Sequence, residues 1–222
     1  MEVTRVGIAS IPQRENNLRM TIESIFSQAD SVVVALNNYD HIPSFLEHEK
    51  IIATIEDNSL GDGAKFMGAE DYDGYFFALD DDLVAPPNHI KYLKKKINQY
   101  KGLVSLLGKV YGSRPIASFR KGYTEVFRAL GTVHTDVFVD IVGSGACGFH
   151  TRDFRPDISK WGRKNTADIW VSRDAFYQNV PLVAVAHDNN YFKYTLTRDG
   201  WRIWAHDHDD EYQTRILNSF LK

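Results

Sequence analysis

Residues Tyr75-Phe76-Phe77-Ala78-Leu79 form an apolar run of strand length that ends abruptly in three carboxylates, Asp80, Asp81 and Asp82. In extended backbone alternate side chains share a face, so Asp80 and Asp82 are expected to point one way and Asp81 the other. Adjacent anions repel one another, and a hard divalent cation with oxygen ligands is the least costly way to hold them together. Pro86-Pro87-Asn88 follows, then a helical pattern, which puts the carboxylates at a strand-to-loop junction. Ligands of open α/β sheets bind at such junctions. A solvated acidic turn or a helix N-cap is the plain alternative; the aromatic, apolar strand in front of the carboxylates argues for a built site.

The elements that must position these groups can be read from periodicity. Val3 to Ala9, Val32 to Leu36, Ile51 to Ile55 and Tyr75 to Leu79 read as successive buried strands. Between them, Leu18, Ile22, Ile25 and Phe26 recur at helical spacing, and Gly61-Asp62-Gly63 leads into a short helical segment with Phe66 and Met67. A further helix is predicted over Asn88 to Tyr100, with Ile90, Leu93 and Ile97 inward. The alternation predicts an α/β fold with a mostly parallel central sheet covered by helices on both faces, its loops gathered at one edge. After Leu103 to Leu107 the rhythm changes. Residues Gly108 to Asp136 carry Arg114, Arg120, Lys121 and Arg128 with little periodicity and read as loops or short strands around the active edge. Val137 to Val142 reads as one strand, Asp168 to Asn179 as a helix with Ile169, Ser172 and Phe176 on one face, Leu182 to Ala186 as a late buried strand and Tyr212 to Leu221 as a closing helix.

The 222 residues suit a single domain, with 1–107 as a nucleotide-binding half and 108–222 as an acceptor and catalytic half. A net charge of −3 argues against a broad nucleic-acid or anionic-membrane surface, while leaving room for a local basic patch. Cys147 is the sole cysteine, so no intrachain disulfide forms and a reducing compartment is expected. No signal-peptide layout or membrane-spanning run is present, which points to a cytoplasmic protein and leaves open a peripheral contact at the inner face of a membrane.

Gly143, Gly145 and Gly148 follow a strand pattern with the spacing of the dinucleotide fingerprint, and Asp168 stands about 20 residues on. Phe149 to Pro156 does not open a helix, however, so no helix N-terminus faces a pyrophosphate, and a dinucleotide-dependent oxidoreductase is set aside.

Taken in order, Ile8-Ala9-Ser10, the strand ending near Asp57, Gly61-Asp62-Gly63-Ala64-Lys65, Leu79-Asp80-Asp81-Asp82, the glycines of 143–148 and Ala167-Asp168-Ile169-Trp170 resemble the nucleotide-sugar-dependent glycosyltransferases of the GT-A fold. The resemblance spans the chain, and the aspartate row is its specific element. It implies a hexosyltransferase that uses a nucleoside-diphosphate sugar and a hydroxyl acceptor, most often in surface glycan or glycolipid assembly. By the same resemblance, loops after the first strands, with Ser10 and Asp57, hold the base and ribose, Arg14 or Lys65 lies near the phosphates, and Asp81 bonds ribose. Asp80 and Asp82 hold Mn2+ or Mg2+ against the diphosphate, and a late histidine, His206 in preference to His208, completes the metal site. His187 is a lesser candidate for that place. Asp168 is then the base that deprotonates the acceptor, giving inversion, although Ala167 stands where the family usually has an acidic partner and Asp168 also suits a helix N-cap. The glycines, Gly145 in particular, let the backbone approach the donor sugar or acceptor closely. Two rival readings use a similar sheet. A sugar-phosphate nucleotidyltransferase lacks its glycine- and basic-rich loop here, where Ser10-Ile11-Pro12-Gln13-Arg14 stands instead; a non-catalytic glycan- or nucleotide-binding module would keep the fold without turnover. A modified nucleic acid, followed along Arg114 to Arg128, is a further acceptor class.

Overall fold

The computed structural model describes residues 2–195 and 209–221. Strands β1 (Thr4–Ser10), β2 (Ser31–Asn37), β3 (Ile51–Glu56) and β4 (Tyr75–Asp80) lie parallel in the spatial order β3-β2-β1-β4. A two-residue strand β5 (Leu83–Val84) follows the aspartates, and β6 (Leu103–Ser105) continues the main sheet. Between β4 and β6 sits β11 (Ala146–His150), antiparallel to both, and beyond β6 come β12 (Leu182–Ala184) and β9 (Val137–Phe138). A second, small antiparallel sheet is formed by β10 (Ile141–Val142), β7 (Gly108–Val110) and β8 (Glu125–Phe127), in that spatial order. β13 (Lys193–Tyr194) pairs with β5.

Helices cover both faces, as their apolar stripes require. α1 (Glu15–Ile25) buries Leu18, Ile22 and Ile25, and α2 (His89–Tyr100) buries Ile90, Leu93 and Ile97, all in one cluster with Val6, Ile8 and Phe77. The opposite face carries α3 (Ala167–Tyr177) and a 3-10 segment, Gly61–Phe66, packed on an aromatic row from Phe66 through Phe76 and Phe149 to Phe154. α4 (Asp210–Phe220) closes a third cluster with Tyr111, Phe119, Ile141, Ile169 and Leu217.

Three expectations need correction. Ile51–Glu56 is not a buried strand but the sheet edge, with Ile52 48% and Ile55 47% exposed, because nothing pairs with its outer side among the described residues. The run Val137 to Val142 is two strands in different sheets, since the chain leaves β12 at Phe138 and joins β7 at Ile141. In α3 the buried face is Ile169, Val171, Ser172 and Ala175, and Phe176 lies outside at 45% exposure.

Candidate functional site

The ends of β1, β2 and β4, with the turn after β3, open on one cavity of about 970 Å³, lined there by Ser10, Arg14, Asn37, Asn58 and Asp80 to Asp82. The parallel register explains the meeting of side chains far apart in sequence. Ala9 lies opposite Asp80, so the residues that follow, Ser10 at the end of β1 and Asp81 just past β4, are neighbours, and Ser10 Oγ donates to Asp81 Oδ2 at 2.6 Å.

β4 ends at Asp80, and Asp81 and Asp82 belong to the turn beyond. The strand alternation that would align Asp80 with Asp82 therefore stops two residues short of Asp82 and does not govern it. Arg14 reaches both later members, with Nη1 donating to Asp81 Oδ1 at 2.5 Å and Nη2 standing 3.5 Å from Asp82 Oδ2. Asp80, with a 41% exposed side chain, accepts from the buried Lys65 ammonium at 2.6 Å. The three anions are thus held together by two cations of the protein. Asp81 has both oxygens engaged. Asp82 Oδ1, in contrast, is buried with no hydrogen-bond partner.

The electrostatics follow from burial. The Asp82 carboxyl is pushed up to about 7, first by loss of hydration and then by repulsion from Asp80 and Asp81. Burial likewise raises Asp81, against the pull of Arg14 and Ser10. Burial opposes the Lys65 charge, but Asp80 and Asp62 outweigh it and hold its pKa above the ordinary lysine range. A buried carboxyl oxygen without a partner leaves a position open to an added donor, a water or a cation. Among the described residues no group of three or more His, Cys, Asp or Glu side chains forms a cation cage. Asp80 and Asp82 offer hard carboxylate oxygens, the ligand type that Mg2+ and Mn2+ prefer. His206 and His208 lie outside the described residues. His187 has both ring nitrogens at backbone carbonyls, of Val185 at 2.7 Å and Arg128 at 3.1 Å, and is no free ligand.

Asp168 lines the same cavity from the first turn of α3. It does not cap that helix: Thr166 holds the N-cap position, and Asp168 Oδ1 instead accepts from both the backbone N–H and the hydroxyl of Ser144, each at 2.7 Å. The loop between β10 and β11 thereby fixes the carboxylate in one rotamer. Gly145 in that loop has a reason different from the one expected. A Cβ there would lie 2.1 Å from Asp80 Oδ2, and the Gly145 carbonyl accepts from Asp80 N–H at 2.9 Å. The space next to Gly145 is filled by a carboxylate of the protein. Asp57 is exposed and accepts from Ser59 N–H in a tight turn, and it is Asn58, at φ 62°, that lines the cavity. Gly148 lies inside β11 with no helix after it, in keeping with the failed dinucleotide fingerprint.

Besides Asn58 and Ser144, sequence reasoning missed Asp62 and Asn37. Asp62 lines the cavity from the 3-10 segment and is pushed up to about 7 by burial, with Lys65 pulling down and Asp168 and Asp80 pushing up. Its signal was an acid three residues before Lys65, one helical turn, between two glycines. Asn37, buried at the end of β2, donates to the Gly61 carbonyl at 3.0 Å and stands to its strand as Asp80 does to β4.

No protein-family model matches the chain, and no curated protein sequence matches it either. Solved structures do. The crystal structure of residues 1–349 of TarS from S. aureus, a glycosyltransferase, aligns with 100% of this chain and 71% of that chain at 13% identity, with a TM-score of 0.57. The 2-C-methyl-D-erythritol 4-phosphate cytidylyltransferase from Thermus thermophilus aligns with 99% of this chain and 98% of that one, also at 13% identity, with a TM-score of 0.46. At this identity the likeness to TarS is one of fold, and the chain has a GT-A-like α/β fold. Among the described residues no helix is long and apolar enough to cross a membrane.

Proposed function

We propose that the chain is a cation-dependent glycosyltransferase that moves a hexose-type sugar from a nucleoside-diphosphate sugar to a hydroxyl of a glycan or glycolipid. The observation that carries this reading is the buried, partnerless Asp82 Oδ1 in a cavity that also holds Asp80 and Asp168. Asp80 and Asp82 would hold Mg2+ or Mn2+, which when bound neutralises charge on the departing diphosphate as a Lewis acid. Lys65 and Arg14 fix the carboxylates in place and offset part of their mutual repulsion. Asn37 and Asn58, at the ends of β2 and β3, offer amide groups where the base and ribose would lie. Asp168, oriented by Ser144, takes the proton of the acceptor hydroxyl as its oxygen bonds the anomeric carbon and the diphosphate leaves. A single displacement of this kind inverts the anomeric centre.

The test is a thermal-shift series over nucleoside diphosphates with and without Mn2+. A matched diphosphate at 100 times its dissociation constant stabilises by about 2.7 kcal/mol, a rise of several degrees that needs the cation. If no nucleoside diphosphate raises the melting temperature with Mn2+ present, the reading is wrong.

A further inference from the structure

A second wall of the cavity has different chemistry. It comes from β7, β8, the loop between them and the residue that follows β8, and carries Lys109, Phe119, Arg120, Tyr123 and Arg128. The cations beside the strand-end aspartates, Arg14 and Lys65, are committed to carboxylates. Lys109 is not. Its ammonium stands 3.6 Å from the Phe119 ring centre and 5.7 Å from that of Tyr123, and its hydrogen bond is a long one, 3.4 Å, to the Phe119 carbonyl. Neither Lys109 nor Arg128 has a carboxylate at ion-pairing distance among the described residues. A partly buried ammonium facing a cavity without a counter-ion, as Lys109 does, is costly to hold unless a ligand supplies the anion, and Arg128 adds an exposed guanidinium to the same wall. The wall is not a piece of a generally basic surface, since the chain carries a net charge of −3.

The loop is also held firmly. α4 accepts from the Phe119 N–H through Thr214 Oγ at 2.8 Å and from the Arg120 N–H through Asp210 at 2.8 Å, while Asn218 bonds both the N–H and the carbonyl of Ile116. Burial lowers Lys109 to about 8, with Asp168 pulling the other way, so the ammonium keeps its charge at neutral pH. β7 pairs with β10, Lys109 opposite Ile141, and the loop after β10 carries Ser144, the partner of Asp168, so Lys109 and Asp168 line the same cavity from neighbouring elements, on the side where an acceptor hydroxyl has to be presented. The donor diphosphate belongs with Asp80 and Asp82.

We propose that Lys109 and Arg128 bind an anionic group, a phosphate, carried by the acceptor. An ammonium and a planar guanidinium are suited to the point charge and the paired oxygens of such a group. The proposal rests on the glycosyltransferase reading, in that the other end of the cavity is assigned to the donor.

Inorganic phosphate serves as the probe. It is titrated calorimetrically into the full chain, alone and after saturation with Mg2+ and a nucleoside diphosphate that binds, and then into Lys109→Met, which keeps the packing beside Phe119, and Arg128→Gln, which alters an exposed side chain. The expected result is phosphate binding that survives nucleotide saturation, weakened at least tenfold in each variant, with nucleoside diphosphate affinity unchanged within twofold. Displacement of phosphate by the nucleotide, together with a tenfold loss of nucleotide affinity in the variants, would assign these cations to the donor and overturn the proposal. Equal phosphate binding by wild type and variants, or none by wild type, would overturn it as well. Should the protein bind no nucleoside diphosphate, the donor reading fails by itself, and the phosphate titration without nucleotide still decides whether this wall is an anion site.

Discussion

At the scale of single residues, the aspartate row was legible as chemistry because three acids at the end of an aromatic strand have few structural reasons to be there. What each acid does was not legible, since Arg14, 67 residues from Asp81, and Lys65, 15 residues from Asp80, become their partners only through the sheet. Asp82 keeps an oxygen for something else. Asp82→Asn should reduce Mg2+-dependent nucleoside diphosphate affinity at least tenfold in calorimetry and leave the circular dichroism native; equal affinity would remove Asp82 from the cation site. Asp62 gives a pH signature. Its folded pKa, about 7, lies above that of an unfolded aspartate, so the stability it contributes is complete below about pH 4 and lost as pH rises through 7. Asp62→Asn keeps an acceptor for the Ala167 N–H and cannot ionise. Urea unfolding should find the variant more stable than wild type by about 1–3 kcal/mol at pH 8, with the difference closing towards pH 4. Parallel stability profiles would show that Asp62 titrates in the ordinary range.

Between residues and the molecule stand the elements, and two glycines test how these aim the site. A Cβ on Gly7 in β1 would lie 1.9 Å from the Lys65 carbonyl and 2.8 Å from Phe76 Cζ. The 3-10 segment that delivers Asp62 and Lys65 can lie on β1 only because Gly7 has no side chain. Gly7→Ala should cost about 2–4 kcal/mol in urea unfolding, as backbone and a core ring must shift. Gly145→Ala meets the Asp80 carboxylate, which can rotate. It should cost less stability than Gly7→Ala but weaken cation-dependent nucleotide binding severalfold; the reverse ranking would contradict this assignment of the two glycines. Elements with strong periodicity, β1, β2, β4, α1 and α2, were readable to within a residue or two. The split between β9 and β10 was not, because Val137 to Val142 is apolar enough for one strand and only tertiary pairing divides it. The same holds for the edge position of β3. Its isoleucines suit a buried strand, and only the sheet order leaves them outside.

For the whole molecule, alternating strands and helices made the parallel core legible, together with the gathering of its loops at one edge. The antiparallel insertion of β11 between β4 and β6 was not legible, though it brings Gly145 and Ser144 to Asp80 and Asp168. The cavity is therefore a joint product of the parallel half, which supplies the aspartate row, and the later half, which supplies Asp168 and the Lys109 wall. The measurement that tests this division of labour most directly is product analysis with nucleoside-diphosphate sugars and Mn2+, comparing wild type with Asp168→Asn. A general base contributes about 10²–10⁴ in rate. Wild type should release nucleoside diphosphate and lose that activity on chelation of the metal. Asp168→Asn should fall by a factor in that range with donor affinity and melting temperature nearly unchanged. Release of pyrophosphate from a nucleoside triphosphate and a sugar phosphate, with no nucleoside diphosphate from any sugar donor, would make the chain a nucleotidyltransferase and contradict the account.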